Sequence, residues 1–224
     1  MTLLLGLDGC KGGWVGALLS PGGAVSWHFL TDLTAALALG AAVVAVDIPI
    51  GLPEAGPRRC DQLARARLGP RGSSVFPAPV RAALAATTYA EARALSVAAH
   101  GGSLSAQAYG LVAKIREVDQ TLAPPDHRRV FEAHPELSLR TLANSSRPGR
   151  DLAGKKTAGG ALARAQLLAA HFGPLPDDIP VQAALDDALD ALACLWTAQR
   201  WARGDAEVLG GEPDARGVPM RIVV

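Results

Sequence analysis

The chain predicts an α/β fold: a mixed sheet of three antiparallel strands followed by parallel ones, helices on both faces, and a helical insertion at about 54–128. Three observations lead there. Three apolar runs, Leu3–Asp8, Trp14–Leu19 and Ala24–Leu30, are separated by Gly9–Gly13 and by Ser20-Pro21-Gly22-Gly23, the pattern of an antiparallel meander. The continuous run Ala42–Asp47 then has the β-branched character of a strand buried on both faces. Helical and loop signals fill 54–128 before strand character returns at Arg128–Glu132.

Each remaining element has a local reason. Thr31–Gly40 reads as a helix: Thr31 or Asp32 can cap it, Leu33, Leu37 and Ala41 share one side, and Gly40 marks its end. Ile48–Pro53 is a rigid extended loop because prolines restrict it. In the insertion, Cys60–Leu68, Pro79–Ala86 and Tyr89–Gly101 have helical composition, and Pro70–Pro79 is a loop. Ser105–Leu122 reads as one helix, with Leu111, Ile115, Val118 and Leu122 at helical period until Pro124-Pro125 stops it. Pro135–Leu142 is a short helix opened by proline. Asn144–Gly154 is a loop, Thr157–Phe172 a helix, Gly173–Pro180 a linker and Val181–Arg203 a long final helix. The tail is expected to end in one edge strand, Met220–Val224.

Composition narrows the class. A chain of 224 residues, 49% apolar and 19% charged, is expected to be a single globular domain with a full core. No apolar run reaches the length of a membrane span, and no basic leader precedes the first apolar residues, so a cytoplasmic protein without membrane attachment is expected. Cys10, Cys60 and Cys194 are an odd number without CxxC spacing, which argues against a disulfide framework or a zinc site. A net charge of +1 gives no strong overall pull on nucleic acid, and 4% aromatic residues do not supply a stacking platform for single strands.

The acidic residues form the more informative pattern. Strands end on Asp8, Asp47 and Glu132, although core strands normally exclude charge. For Asp8 two readings are open. It is a buried acid awaiting a partner or metal, or a turn cap bonding the backbone of Cys10 or Lys11. The last helix adds Asp186, Asp187 and Asp190. Asp186 fits a first-turn acid favoured by the helix dipole, whereas Asp187 and Asp190, three residues apart, share one side and repel. Glu132 reads as a further ligand, a base, or a partner for an arginine. Glu136 reads as a cap, and His134 as a proton carrier or a packing residue. Several carboxylates without histidine or thiolate partners suit a hard cation, Mg²⁺ or Mn²⁺. A pair of such ions about 3.5–4 Å apart serves in-line attack of water on a phosphodiester.

Basic residues cluster as well. Arg58, Arg59, Arg65, Arg67, Arg71 and Arg81 fall within 24 residues, and Lys155-Lys156 precede the helix start at Thr157. A solvated surface is the simpler reading of any one of them. As a group they suit phosphate contacts.

Several segments carry a resemblance. An acid on the first strand, three antiparallel strands, a fourth strand ending in an acid and a late helix with two Asp three apart resemble the RNase H superfamily. Asp187-Ala188-Leu189-Asp190-Ala191-Leu192-Ala193 is similar to the last-helix motif of the Holliday-junction resolvases in that superfamily. Gly6–Cys10 with Gly13-Trp14, Val46–Pro53, Arg59-Cys60-Asp61 with Ala64-Arg65, Ser74–Pro77, Glu132–Glu136, Lys155-Lys156-Thr157 and Asp186–Ala191 together resemble domain-of-unknown-function family 429, described as predicted RNase H-like nucleases. The resemblance implies an RNase H-like mixed sheet and a metal-dependent nuclease acting by two-metal attack of water. Asp8, Asp47, Asp187 and Asp190 would then be the metal ligands and, with Glu132, the catalytic set. Arg59, Arg65 and Lys155, which lie in the matching segments, would contact a nucleic acid or a small phosphodiester. Glu132 departs from the resolvase pattern.

Other chemistries have less support. Gly9–Gly13 lacks the GxxxxGK[ST] phosphate loop, no GxSxG elbow is present, and neither Cys10 nor Cys60 has a histidine nearby in sequence. Two alternatives stay open. One is a nucleotide-dependent phosphoryl-transfer enzyme on the actin and sugar-kinase core, which also carries Asp-Gly on its first strand but needs a duplicated core. The other is a non-catalytic binding module. Oligomeric state is left open, a homodimer included.

Overall fold

In a computed structural model that describes residues 2–100, 102–146 and 152–224, the chain is a mixed α/β protein with a seven-stranded sheet. It divides into two compact units, Met1–Asp47 with Ala133–Glu207 and Val223–Val224, and Ile48–Glu132 with Val208–Ile222.

The first unit opens with the expected meander, β1 (Leu4–Cys10), β2 (Gly13–Leu19) and β3 (Val25–Leu30). The turn between β1 and β2 needs Gly12, whose φ of 80° lies in the left-handed region. Helix α1 (Leu33–Ala38) follows, and the Asp32 side chain accepts a 2.8 Å hydrogen bond from the Ala35 amide. Strand β4 (Val43–Val46) returns beside β1 in parallel register, from Leu4 opposite Val43 to Leu7 opposite Val46. The order here is β3-β2-β1-β4.

In the second unit, α2 (Arg59–Leu68) runs into a short 3-10 turn, Gly69–Ser74, within the expected loop. Pro79–Ala86, expected as a helix, holds only the 3-10 turn Arg81–Ala85, whose Leu84 and Ala86 carbonyls accept hydrogen bonds from Arg116. Helix α3 (Tyr89–His100) matches its expected span, whose last residue, Gly101, lies outside the described residues. The single helix expected over Ser105–Leu122 is two: α4 (Ala106–Gly110) and α5 (Val112–Thr121). Ser105 caps the first, and the Leu111 amide closes back on the Ala108 carbonyl instead of continuing the α pattern. A glycine at the junction, Gly110, has little helix propensity to resist that break. Strand β5 (Val130–Ala133) ends the stretch.

The chain continues with α6 (Pro135–Ser146), longer than expected, α7 (Ala158–Phe172), capped by Thr157, and α8 (Leu185–Arg203). The expected loop over 144–154 therefore begins after α6, and its residues 147–151 lie outside the described residues.

The tail corrects the sequence reading. It forms two strands, β6 (Val208–Pro213) and β7 (Pro219–Val223), in the order β5-β7-β6, so Met220–Val224 is not an edge. The Asp214 carboxylate makes the turn by accepting the Arg216 and Val218 amides, and Gly217 takes a φ of 79°.

Helix α8 is the centre of the first unit and packs on β1, β2 and β4. Its buried face, Ala188, Leu189 and Ala191–Ala198, is rich in alanine, which lets it approach the sheet closely. Gly6 is the point of closest approach: a Cβ there would lie 2.2 Å from both the Ala191 carbonyl oxygen and the Leu195 amide nitrogen.

Candidate functional site

Strand register sets the first two acids side by side. Because Leu7 pairs with Val46 in parallel, the next residues stand side by side: Asp8 is still within β1 and paired with Val15 of β2, while Asp47 lies just past β4 and its amide donates to the Leu7 carbonyl at 2.9 Å. Side chains alternate along a strand, so Asp8 shares the face on which Gly6 meets α8. Asp190 lies one residue before Ala191 on the buried side of that helix. The result is a triad: one carboxylate oxygen from each of Asp8, Asp47 and Asp190 lies within 4.8 Å of the others.

This proximity shows in how the acids ionise. Burial, then Asp47, Asp190 and Asp187, pushes the Asp8 carboxyl well above its ordinary range, against the 2.6 Å hydrogen bond it accepts from the Gly9 amide. Burial raises Asp47 to about 7 despite the opposing charge of Lys155. Burial likewise raises Asp190 to about 6, with Asp47 and Glu136 adding to it and Lys155 opposing. The Lys155 ammonium sits 2.5 Å from Asp190 Oδ2. Burial works against its charge, but Asp190, Asp47 and Asp8 outweigh that and raise its pKa. Cys194, behind the triad, is pushed well up by burial and by the three acids, so its thiol is held protonated and is no nucleophile.

The residues fit a hard divalent cation. Their donors are all carboxylate oxygens, they converge from two adjacent strands and a helix, and Lys155 brings one positive charge against three acids. Asp8, Asp47 and Asp190 could hold such an ion.

The other sequence candidates have different surroundings. Asp187 lies outside the triad among the described residues. Its Oδ2 accepts the Ala184 amide at 2.9 Å, which caps the helix, yet it is near enough to raise Asp8. The Asp8 carboxylate accepts the Gly9 amide within its turn. Glu132 has the arginine partner that was one of its expected readings: both oxygens accept from Arg58, at 2.7 and 2.8 Å, and Oε2 also accepts the Ile50 amide. Arg58 is fully buried and also grips both oxygens of Asp61, whose Oδ2 takes the Ala78 amide. Glu132 thus serves to neutralise a buried guanidinium. Arg59 is exposed beside Glu212, and Arg65 donates to the Val75 carbonyl. Glu136, read as a cap, accepts a 2.5 Å bond from Arg164, which is fully buried and also donates to the Ala153 and Gly160 carbonyls.

Sequence reasoning missed Arg58 and Arg164 as anchors. The signal for the first was the Arg58–Asp61 spacing of a helical ion pair. For the second it was a charge standing between Gly160 and Leu168 on the buried stripe of α7.

No match is found among curated proteins or among solved structures. A family model described as a protein of unknown function (DUF429) matches residues 6–215, a span that takes in the triad and Lys155, and the chain belongs to that family.

Proposed function

We propose that this protein is a divalent-metal-dependent phosphodiester hydrolase, a nuclease of RNase H-like type. The single observation that carries the reading is the convergence of Asp8, Asp47 and Asp190 within 4.8 Å. Three carboxylates at that range, Asp190 buried and Asp8 and Asp47 half-buried, are costly in a protein with no use for them. The strand arrangement supports it: β1 is antiparallel to β2 and parallel to β4, as the RNase H-like resemblance implies, and Asp8 follows Leu7 on β1 as Asp47 follows its partner Val46 on β4.

Mg²⁺ or Mn²⁺ held by the triad would activate a water and offset charge on the leaving oxygen of a phosphodiester. Asp8 presents its oxygen from within β1 and Asp47 from the residue after β4, and α8 holds Asp190 against them by its close contact at Gly6. Lys155, bonded to Asp190, keeps a cation at the site where a phosphate would approach. Asp187 caps α8 and sharpens the local negative field. The substrate is a nucleic acid or a small phosphodiester.

The test is Mn²⁺-dependent cleavage of duplex DNA, RNA, a four-way junction and bis-p-nitrophenyl phosphate. Cleavage should fall to background in Asp8→Asn and persist in Glu132→Gln preparations that remain folded. Cleavage that survives Asp8→Asn overturns the assignment.

A further inference from the structure

We propose that Lys155 is a tethered counter-ion that competes with the divalent cation for Asp190, so that metal entry displaces its ammonium. The inference rests on the reading that the triad binds a divalent metal.

Lys155 is held in place by a built support. Thr157 turns the chain back through two bonds to the Gly154 carbonyl, amide at 3.0 Å and hydroxyl at 2.8 Å, and its hydroxyl also receives the Gly160 amide. The buried Arg164 holds the Ala153 carbonyl at 2.5 Å and is itself fixed by Glu136. Gly160 lets the turn lie flat on α7, since a Cβ there would stand 2.1 Å from the Gly154 oxygen. Lys155 is thus flanked on both sides by anchored backbone, while its own side chain, 37% exposed, is anchored only at its tip. That tip holds one of the two oxygens that Asp190 has to offer.

A unit positive charge seated on a ligand oxygen acts against a second cation in two ways. It occupies a lone pair, and it repels the incoming charge. A flexible four-carbon stem lets the ammonium leave without moving the backbone. Displaced from Asp190, the ammonium remains tied to the site by that anchored turn, where an anionic substrate oxygen can take it up.

Calorimetric titration with Mn²⁺ alone, on the full chain at pH 8.5, tests this. That pH lies above the values of about 7 for Asp47 and about 6 for Asp190 in the unaltered protein. Lys155→Met should bind Mn²⁺ about tenfold more tightly than the unaltered protein, which is about 1.4 kcal/mol, and Lys155→Arg should not. A second readout needs no variant: acetylation of Lys155 by an amine-reactive reagent, followed by mass spectrometry, should rise severalfold when Mn²⁺ replaces EDTA. Equal or weaker affinity in Lys155→Met, or acetylation indifferent to Mn²⁺, overturns the counter-ion role and leaves the nuclease reading standing. Failure of every form to bind Mn²⁺ overturns both.

Discussion

Asp47 is a carboxylate that its surroundings hold near the neutral point, with a pKa of about 7, chiefly because it is buried. Replacing it by asparagine removes that penalty. In EDTA at pH 8, Asp47→Asn should raise the unfolding free energy measured in urea by on the order of 1–3 kcal/mol, since each tenfold change in proton affinity on folding is worth about 1.4 kcal/mol. The stabilising response to Mn²⁺ should be lost at the same time. Arg58 makes the opposite case. It is a buried cation matched by Glu132 and Asp61 through paired hydrogen bonds. Arg58→Met strands both acids, and the same urea experiment should show a loss of about 3–5 kcal/mol. Lysine cannot reproduce the planar fork, so Arg58→Lys should recover little of it.

Among the elements, α8 decides whether the triad exists, because Asp190 reaches the strand-end acids only while the helix lies tight on β1. Gly6 is the residue that permits this. Gly6→Ala sets a Cβ into helix backbone that cannot rotate away. Thermal unfolding should register a cost of about 1–3 kcal/mol, and Mn²⁺ affinity should fall with it as Asp190 is pushed off. The bond between Ser138 and Thr197 hydroxyls, at 2.7 Å, holds α6 to the same helix from its buried side. Helix breaks followed local chemistry. Glycine at position 110 and a serine cap at 105 divided one periodic stretch into α4 and α5, a division that hydrophobic spacing alone does not reveal.

For the molecule as a whole, the triad makes stability depend on pH in an unusual direction. Asp47 and Asp190 have folded-state values of about 7 and about 6 against an ordinary carboxylate value of 3.8. Between about pH 4 and 7 the native state therefore binds more protons than the unfolded chain, and stability from these groups falls as pH rises. Below pH 4 their contribution is complete; above 7 it is gone. Melting temperature in EDTA should decline from pH 5 to pH 8, and the decline should be shallower in Asp47→Asn. Saturating Mn²⁺ should flatten or reverse it, since a cation competes with protons for the same oxygens. A melting temperature that climbs with pH in EDTA, as in proteins whose acids are paired, counts against the clustering of these carboxylates.

The opening meander, the buried run at β4 and the long final helix were legible in the sequence because each is a local pattern: alternation, β-branching and turn glycines speak for themselves within ten residues. The acids Asp8, Asp47 and Asp190 were legible for a related reason, as charges where apolar elements should exclude them. The sequence could not settle which acids meet. Asp187 and Asp190 differ by less than one helical turn, yet one closes the helix end and the other enters the triad. Glu132 stands at a strand end as Asp47 does, but Arg58, 74 residues away, claims both its oxygens. The buried arginines likewise depend on partners distant along the chain, Arg58 on Glu132 and Arg164 on Glu136. Local periodicity selects the elements. The pairing of charges is decided only when burial removes water as an alternative partner, and that happens in three dimensions.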